Sequence, residues 1–229
     1  MKPFAKLRAV WVLFELLLTV PVVIIMMRLF PKKQWSLRKK WARLQSLLMG
    51  YRLQIVGEAD PDAKLVLMNH QSLLDIIVVD ASYPKNLSWV AKKEIAKIPF
   101  FGQILTVPKM IIVDRESKKS LLKLLKDAQK RIDEGRVIAM FPEGTRGDGK
   151  RLLPFRSGAR FLAEKLHLKV QPIVIVNTRT ILDSVNFSAH GGSVKIIYLD
   201  AIDPDSDNAW YDKLHQQMQN VLEKETKQT

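Results

Sequence analysis

From Tyr51 onward, short apolar runs alternate with segments of helical periodicity, and this alternation constrains the fold more than any other feature of the chain. Such alternation is typical of α/β domains, in which helices connect the strands of one sheet. We therefore predict a mixed, largely parallel central sheet flanked by helices. The predicted strands are 52–56, 64–68, 87–91, 110–113, 137–140, 170–176 and 194–198, and the predicted helices are 72–82, 117–134, 157–166 and 208–226.

The N-terminal segment differs in composition from the rest of the chain. Residues 9–27 are almost wholly apolar, interrupted by Glu15, Thr19 and Pro21. A helix of this length could just cross a hydrocarbon core about 30 Å thick, but an acid at membrane depth is costly and a proline kinks the helix, which argues against a simple span. With 229 residues, the chain suffices for one full domain. We predict membrane-associating helices over residues 1–50 and a catalytic domain over residues 51–229.

A second helix is predicted after Pro31, over residues 34–49, where apolar residues recur at near-helical spacing and basic residues supply a polar side. Tryptophan together with lysine and arginine suits the head-group layer of a membrane. A helical hairpin lying in one leaflet and one span plus a surface helix both fit this pattern. A core-packing helix with a solvated basic face is the alternative.

The net charge of +14, from 37 Lys and Arg against 23 Asp and Glu, implies an anionic partner. Many of the basic residues flank the apolar N-terminus, which favours anionic membrane lipids, and we expect no nucleic acid partner. The chain has no cysteine, which excludes disulfides, thiol nucleophiles and Cys-ligated metals and favours a reducing compartment. We expect the catalytic domain on the cytoplasmic face of the inner (plasma) membrane.

A histidine and an acid lie where the predicted strand 64–68 ends. His70 there would sit at a loop mouth, and Asp75, at the start of the next helix, could orient its imidazole, as in a general-base site. The same residues also fit a simpler pattern. Ser72 and Asp75 match a capping box, in which the acid only closes the first helical turn.

A second polar segment follows the predicted strand 137–140. Glu143 is followed by Gly144, which permits a tight turn, by Thr145, which offers a hydroxyl, and by Arg146, whose planar fork suits phosphate. Taken alone, this segment could be an ordinary polar turn.

Together, the pattern Asn-His-x-x-x-x-Asp at 69–75 and Phe-Pro-Glu-Gly-Thr-Arg at 141–146 resembles the glycerolipid acyltransferase family, specifically 1-acyl-sn-glycerol-3-phosphate acyltransferases. Residues 111–115 and 170–174 are similar to the second and fourth motifs of that family, in the same order. The resemblance runs from about Leu65 to Val176. This sequence has Gly147 where serine is frequent in relatives.

The resemblance implies a direct acyl transfer from acyl-CoA or acyl carrier protein to lysophosphatidic acid, giving phosphatidic acid in phospholipid biosynthesis. His70 would be the base that removes the proton from the glycerol 2-hydroxyl, and Asp75 would fix its tautomer. Asn69 is a possible oxyanion donor. We expect no bound cofactor, and no metal-ligand spacing occurs.

For the acceptor phosphate, the resemblance implies Arg115 and Arg146, with Gly144 and Thr145 shaping the loop. Glu143 would pair with an arginine and hold that loop in place. Without the resemblance, Arg115 would be interpreted as part of a surface ion pair.

Three further residues fall in segments similar to the family. Lys92 and Lys93 begin a basic-then-apolar block, which could contact phosphate or could be a loop with solvated lysines. Pro172 belongs to the fourth motif, where Gln171-Pro172 replaces a more usual Val-Pro or Leu-Pro.

Two other functions remain open. The same motifs would serve an acyltransferase for another lysophospholipid, glycerol-3-phosphate or a lyso-aminolipid. A non-enzymatic basic protein that coats membranes or binds nucleic acid would explain the charge but not the polar motifs.

Overall fold

The computed structural model describes residues 2–114 and 120–227. The helices are α1 (Lys2–Leu29), α2 (Gln34–Leu48), α3 (Leu74–Ser82), α4 (Lys93–Ala96), α5 (Gln103–Thr106), α6 (Ser120–Asp133), α7 (Ser157–Lys165), α8 (Thr178–Ile181) and α9 (Trp210–Thr226). The strands are β1 (Tyr51–Val56), β2 (Leu65–Met68), β3 (Leu87–Lys92), β4 (Ile111–Val113), β5 (Val137–Met140), β6 (Val170–Val176), β7 (Leu182–Asp183), β8 (Ser188–Ala189) and β9 (Gly192–Tyr198).

Seven strands form one sheet in the order β1-β9-β6-β2-β5-β3-β4. All neighbouring strands in it are parallel except β6 and β9, which are antiparallel. Strands β2, β5 and β6 are buried along their whole length, which explains why they occur as continuous apolar runs. The predicted mixed, largely parallel sheet is confirmed.

Helices cover both faces of the sheet. Along β2, Val66 and Met68 belong to one core, which includes residues of α3, and Leu65 and Leu67 belong to the other, which includes residues of α6, α7 and α9. The strands β2 and β5 run in parallel and pair Leu67 with Met140. The chain therefore leaves both strands at the same edge of the sheet, where the two polar motifs follow.

The N-terminal helices pack on the rest of the protein. α1 is a single helix through Pro21, and among the described residues it contains one stretch, Phe4–Leu29, long and apolar enough to cross a membrane. Trp41 Nε1 on α2 donates to Thr19 Oγ1 on α1 at 3.0 Å. The inner face of α1 is buried over its length, at Ala5, Ala9, Val12, Glu15, Val20, Val23, Ile24 and Met27.

Part of the basic side of α2 faces the protein. Head-group contact and solvation are both wrong for Arg38, whereas Lys39 is partly exposed and Arg43 is exposed. Arg38 is buried. Lys39 Nζ donates to Tyr83 O at 2.6 Å, and Arg43 Nε donates to Ala81 O at 3.1 Å, at the C-terminal end of α3. Carbonyl oxygens at a helix C-terminus lack intrahelical partners and attract cations. Basic residues of α2 thus anchor it to α3.

Several elements differ from the prediction. α3 begins at Leu74 rather than Ser72, and the hairpin of β7 and β8 was not predicted. The short helices α4, α5 and α8 were also missed. Residues 117–119 of the predicted helix 117–134 lie outside the described residues.

Candidate active site

His70 and Asp75 are in direct contact at the edge of the sheet. The Nδ1 of His70 lies 2.7 Å from Oδ2 of Asp75, whose side chain is fully buried, whereas the imidazole retains 13% exposure. The same oxygen accepts the backbone N–H groups of Gln71 at 2.6 Å and Ser72 at 2.9 Å. Asp75 therefore closes the start of α3, as in a capping box, and also holds the imidazole.

Thr178 completes the environment of Asp75. Its Oγ1 donates to Oδ1 of Asp75, and its side chain is fully buried. It begins α8 directly after Asn177, a left-handed residue with φ of 71° that turns the chain at the end of β6. The sequence analysis missed Thr178, because no local pattern links it to a carboxylate more than 100 residues away.

The hydrogen bond to Asp75 sets the tautomer of His70. When Nδ1 carries the proton and donates it to the carboxylate, Nε2 keeps its lone pair and can accept a proton. The imidazole ring stacks on Phe141, with ring centroids 3.9 Å apart and planes inclined by 11°. The ring is thus fixed both at its edge and on its face.

Glu143 joins the two polar motifs. Its buried carboxylate accepts the backbone N–H of His70 at 2.7 Å and that of Leu153 at 2.7 Å. Burial is the main cause that raises the pKa of Glu143 to about 7. The expectation that Glu143 pairs with an arginine is wrong. Among the described residues, the partners of its carboxylate are backbone N–H groups.

The loop after Glu143 turns at Gly144, which has a φ of 75° and donates its N–H to Phe141 O at 3.0 Å. Glycine adopts this left-handed conformation without the steric cost that a Cβ atom would add. Thr145 and Arg146 are exposed, and Arg146 Nη1 donates to Ser184 Oγ at 3.1 Å in the β7–β8 hairpin. The tight turn predicted at Gly144 is present.

Asn69 bridges β2 to β6. Its Nδ2 donates to Ile175 O at 2.9 Å, and its Oδ1 accepts Ile175 N–H at 2.7 Å. Gly147, in the loop after Arg146, donates its N–H to His70 O at 2.8 Å. Both contacts hold the backbone around His70, and the contacts with Ile175 use the oxygen and one of the two N–H groups of the Asn69 amide, a candidate oxyanion donor.

The remaining predicted residues lie in different surroundings. Lys93 Nζ is 2.5 Å from Asp114 Oδ2, and Lys92 ends β3 in a partly exposed position. Pro172 is buried within the sheet opposite Leu67, away from the contacts of His70. Arg115 lies outside the described residues.

Chemically, the site combines a histidine held in a defined tautomer with an exposed arginine on a neighbouring loop. The histidine can remove a proton from a hydroxyl group, and the exposed arginine can bind an anion. Among the described residues, no group of three or more His, Asp or Glu side chains is placed to hold a metal ion.

Comparison with known proteins gives consistent results. A family model described as Acyltransferase matches residues 56–176, more than half of the chain. A Helicobacter pylori protein named 1-acyl-sn-glycerol-3-phosphate acyltransferase is 44% identical over 174 residues, which cover 75% of this chain and 73% of that protein.

More distant relatives differ in their names and are longer. A yeast 1-acyl-sn-glycerol-3-phosphate acyltransferase is 29% identical, and a Rhizobium meliloti lyso-ornithine lipid O-acyltransferase is 34% identical. The matches cover 65% and 62% of this chain but only 51% and 48% of those proteins.

A solved structure supports the fold. The crystal structure of the 1-acyl-sn-glycerophosphate (LPA) acyltransferase PlsC from Thermotoga maritima is similar with a TM-score of 0.79, and the match covers 99% of this chain and 96% of that one. At 19% identity, the likeness establishes a shared fold.

Proposed function

The chain belongs to the acyltransferase family, and we propose that it transfers a fatty acyl group from a thioester donor to the sn-2 hydroxyl of 1-acyl-glycerol-3-phosphate, forming phosphatidic acid. The observation that carries this proposal is the 2.7 Å contact between His70 and the buried Asp75. The loop that carries the exposed Arg146 reaches His70 through the N–H of Gly147, which donates to His70 O. The name of the Helicobacter relative supports this choice of acceptor. Family membership sets aside a non-enzymatic function.

In the proposed reaction, Nε2 of His70 takes the proton from the acceptor hydroxyl as its oxygen attacks the thioester carbonyl carbon. Asp75 accepts the hydrogen bond from Nδ1–H of His70 and stabilises the imidazolium that forms. Collapse of the tetrahedral intermediate breaks the carbon–sulfur bond, and the imidazolium returns its proton to the thiolate. The acyl group passes directly between substrates, which accords with the absence of cysteine from the chain.

We propose that the loop of Gly144, Thr145 and Arg146 receives the acceptor phosphate. The guanidinium of Arg146 is exposed, and a planar fork of donors suits a phosphate group. Arg115 remains a proposed second phosphate ligand on the resemblance alone. Lys92, partly exposed at the end of β3, is a third candidate. We assign Asn69 a structural role rather than that of an oxyanion donor, because its side chain is buried and both its amide oxygen and one of its amide N–H groups bind Ile175.

The acceptor could also be a lyso-ornithine lipid, since relatives from Rhizobium and Brucella carry that name at 34% and 31% identity. The exposed Arg146 favours a phosphorylated acceptor over that alternative. For the donor, acyl-CoA and acyl carrier protein both remain within the proposal.

We propose that residues 1–50 associate with anionic membrane lipids, with residues 51–229 as the catalytic domain on the cytoplasmic face. The inner face of α1 is buried against the protein from Ala5 to Met27, while its outer face is apolar and exposed. Crossing the bilayer would require α1 to leave these contacts, so a position in one leaflet accounts better for both faces.

The test is product identification with purified protein in mixed micelles. Oleoyl-CoA and oleoyl-acyl carrier protein are each offered with 1-acyl-glycerol-3-phosphate, glycerol-3-phosphate or a lyso-ornithine lipid, and the products are identified by mass spectrometry. We expect phosphatidic acid as the main product. Preferred acylation of the lyso-ornithine lipid or of glycerol-3-phosphate would contradict the proposed acceptor.

A further inference from the structure

A buried ionic cluster lies on the side of α3 that faces α2, away from Asp75. Arg38 Nε on α2 lies 2.9 Å from Asp80 Oδ2 on α3, and both side chains are less than 10% exposed. Arg38 Nη2 also donates to Leu87 O at 3.0 Å. The proposed chemistry uses none of these groups, although burying charges in a protein is costly unless they are paired.

The cluster continues toward the active site through Trp89. Its Nε1 donates to the second carboxylate oxygen of Asp80, Oδ1, at 3.1 Å. The indole then stacks on Phe141, with ring centroids 5.3 Å apart and planes inclined by 23°. Phe141 stacks on His70 at 3.9 Å, so the two aromatic rings connect the buried ion pair to the imidazole.

Both ends of this connection start from α3. Asp75, in its first turn, binds the edge of the imidazole at Nδ1, and Asp80 acts on the face of the imidazole through Trp89 and Phe141. A hydrogen bond to Nδ1 alone allows the ring plane to rotate about the line of that bond. A ring stacked at 3.9 Å restricts this rotation, because tilting the imidazole would bring its atoms into contact with Phe141.

We propose that Trp89 and Phe141 are positioning residues that set the ring plane of His70, and that the Arg38–Asp80 ion pair fixes them in place. The inference rests on the proposed role of His70 as the base. Because Arg38 belongs to α2, the connection also links a membrane-associating helix to the orientation of the base. Displacing a reacting group by about 1 Å can reduce a rate by about a hundredfold.

Two variants and a matched control test the connection. Trp89→Phe keeps an aromatic ring but removes the donor to Asp80, and Phe141→Leu removes the stacked ring but keeps an apolar side chain. Trp210→Phe is the control, because Trp210 is also buried and donates Nε1 to an acid, Glu164 Oε1 at 3.2 Å, on the opposite face of the sheet.

The kinetic readout separates positioning from binding. We expect Phe141→Leu to lower kcat by about tenfold to a hundredfold and Trp89→Phe by about threefold to tenfold, with KM for both substrates changed less than about twofold. Trp210→Phe should retain the wild-type kcat. A kcat for Phe141→Leu within about twofold of wild type would overturn the proposal.

A second readout reports the ring plane without turnover. With ring-labelled histidine, the chain gives signals from four histidines, and His70→Ala identifies the signal of His70. Stacking on Phe141 should move the His70 ring protons upfield. We expect Phe141→Leu to remove this shift, Trp89→Phe to change it, and Trp210→Phe to leave it unchanged.

Unchanged His70 signals in both Trp89→Phe and Phe141→Leu would refute the positioning role. Because the spectra are recorded without substrate, they test the positioning role even if the protein acylates no acceptor. Failure to acylate any acceptor would count against the proposed function alone. Trp89→Phe is the milder change, and it tests the positioning role on its own if Phe141→Leu does not fold.

Discussion

Thr178 Oγ1 donates a hydrogen bond to Oδ1 of Asp75, the carboxylate oxygen that His70 does not contact. With Gln71 and Ser72 bound to the other oxygen, Asp75 has partners on both oxygens inside the protein. A buried carboxylate with its hydrogen bonds satisfied keeps a fixed orientation, which the proposed base requires.

We predict that Thr178→Val lowers kcat by about threefold to tenfold. The change removes one buried hydrogen bond of about 0.5–1.5 kcal/mol and leaves Oδ1 without its donor, which loosens the carboxylate that orients His70. Steady-state kinetics measures the effect. Thr178→Ser retains a hydroxyl and should restore most of kcat, whereas a wild-type kcat in Thr178→Val would contradict a positioning role for Thr178.

The raised pKa of Glu143 predicts a pH-dependent stability. Because this pKa is about 7 in the folded protein against a usual value of 4.5, the folded state keeps a proton that the unfolded chain releases between these pH values. The stabilisation from this group is complete below pH 4.5 and is lost as the pH rises to about 7. The loss is about 1.4 kcal/mol per pH unit in the middle of this window.

Glu143→Gln removes this titration and is the test. The free energy of unfolding is measured with denaturant at pH 5 and at pH 7. The rise in pH should lower this free energy by about 2 kcal/mol more for the wild type than for the variant. The variant should also be less stable at pH 5, because its amide NH2 group cannot accept a backbone N–H, whereas the hydroxyl oxygen of the protonated acid still can. Equal pH dependence in the two proteins would contradict the assigned pKa.

Arg146 should act on acceptor binding. We predict that Arg146→Met raises KM for 1-acyl-glycerol-3-phosphate by about tenfold to a hundredfold, since a hydrogen bond to a charged group contributes about 1.5–3 kcal/mol. Monoacylglycerol, which lacks the phosphate, is the control acceptor, and its slow acylation should not change. An equal loss with both acceptors would show that Arg146 does not recognise phosphate.

The outer face of α1 should hold the protein on lipid. Phe14 and Leu18 are both more than half exposed, and burying such a side chain contributes about 1.5–3 kcal/mol. We predict that Phe14→Ser or Leu18→Ser lowers the partition of the protein onto anionic vesicles by about tenfold or more in a flotation assay.

Leu122→Ser is the matched control for this experiment. Leu122 is an exposed leucine on α6, a helix that packs on the opposite face of the sheet from α1. The substitution should leave the partition unchanged. Complete release of the wild type from vesicles by high salt would contradict an apolar contact with the membrane.

The sheet could be predicted because its strands are long enough to show a pattern. Strands β2, β5 and β6 are apolar at nearly every position, and all seven strands of the main sheet were predicted to within two residues at each end. The two-residue strands β7 and β8 are too short for any periodicity to appear. The hairpin that contacts Arg146 was therefore missed.

The contact between His70 and Asp75 was predictable because both residues lie in one local motif. The roles of Asn69 and Thr178 were not, because each depends on where β6 ends relative to β2, a relationship set by tertiary packing. The same reason applies to Glu143, whose partner is the backbone of His70 rather than an arginine. Sequence patterns identify the residue types, and the fold decides their partners.

The most direct test of the central claim, that His70 is the base of a direct acyl transfer, is release of free thiol from oleoyl-CoA with and without 1-acyl-glycerol-3-phosphate. The account predicts that release requires the acceptor and falls by about a hundredfold or more in His70→Ala. Thiol release without acceptor at the full rate, or a His70→Ala rate equal to that of the wild type, would contradict it.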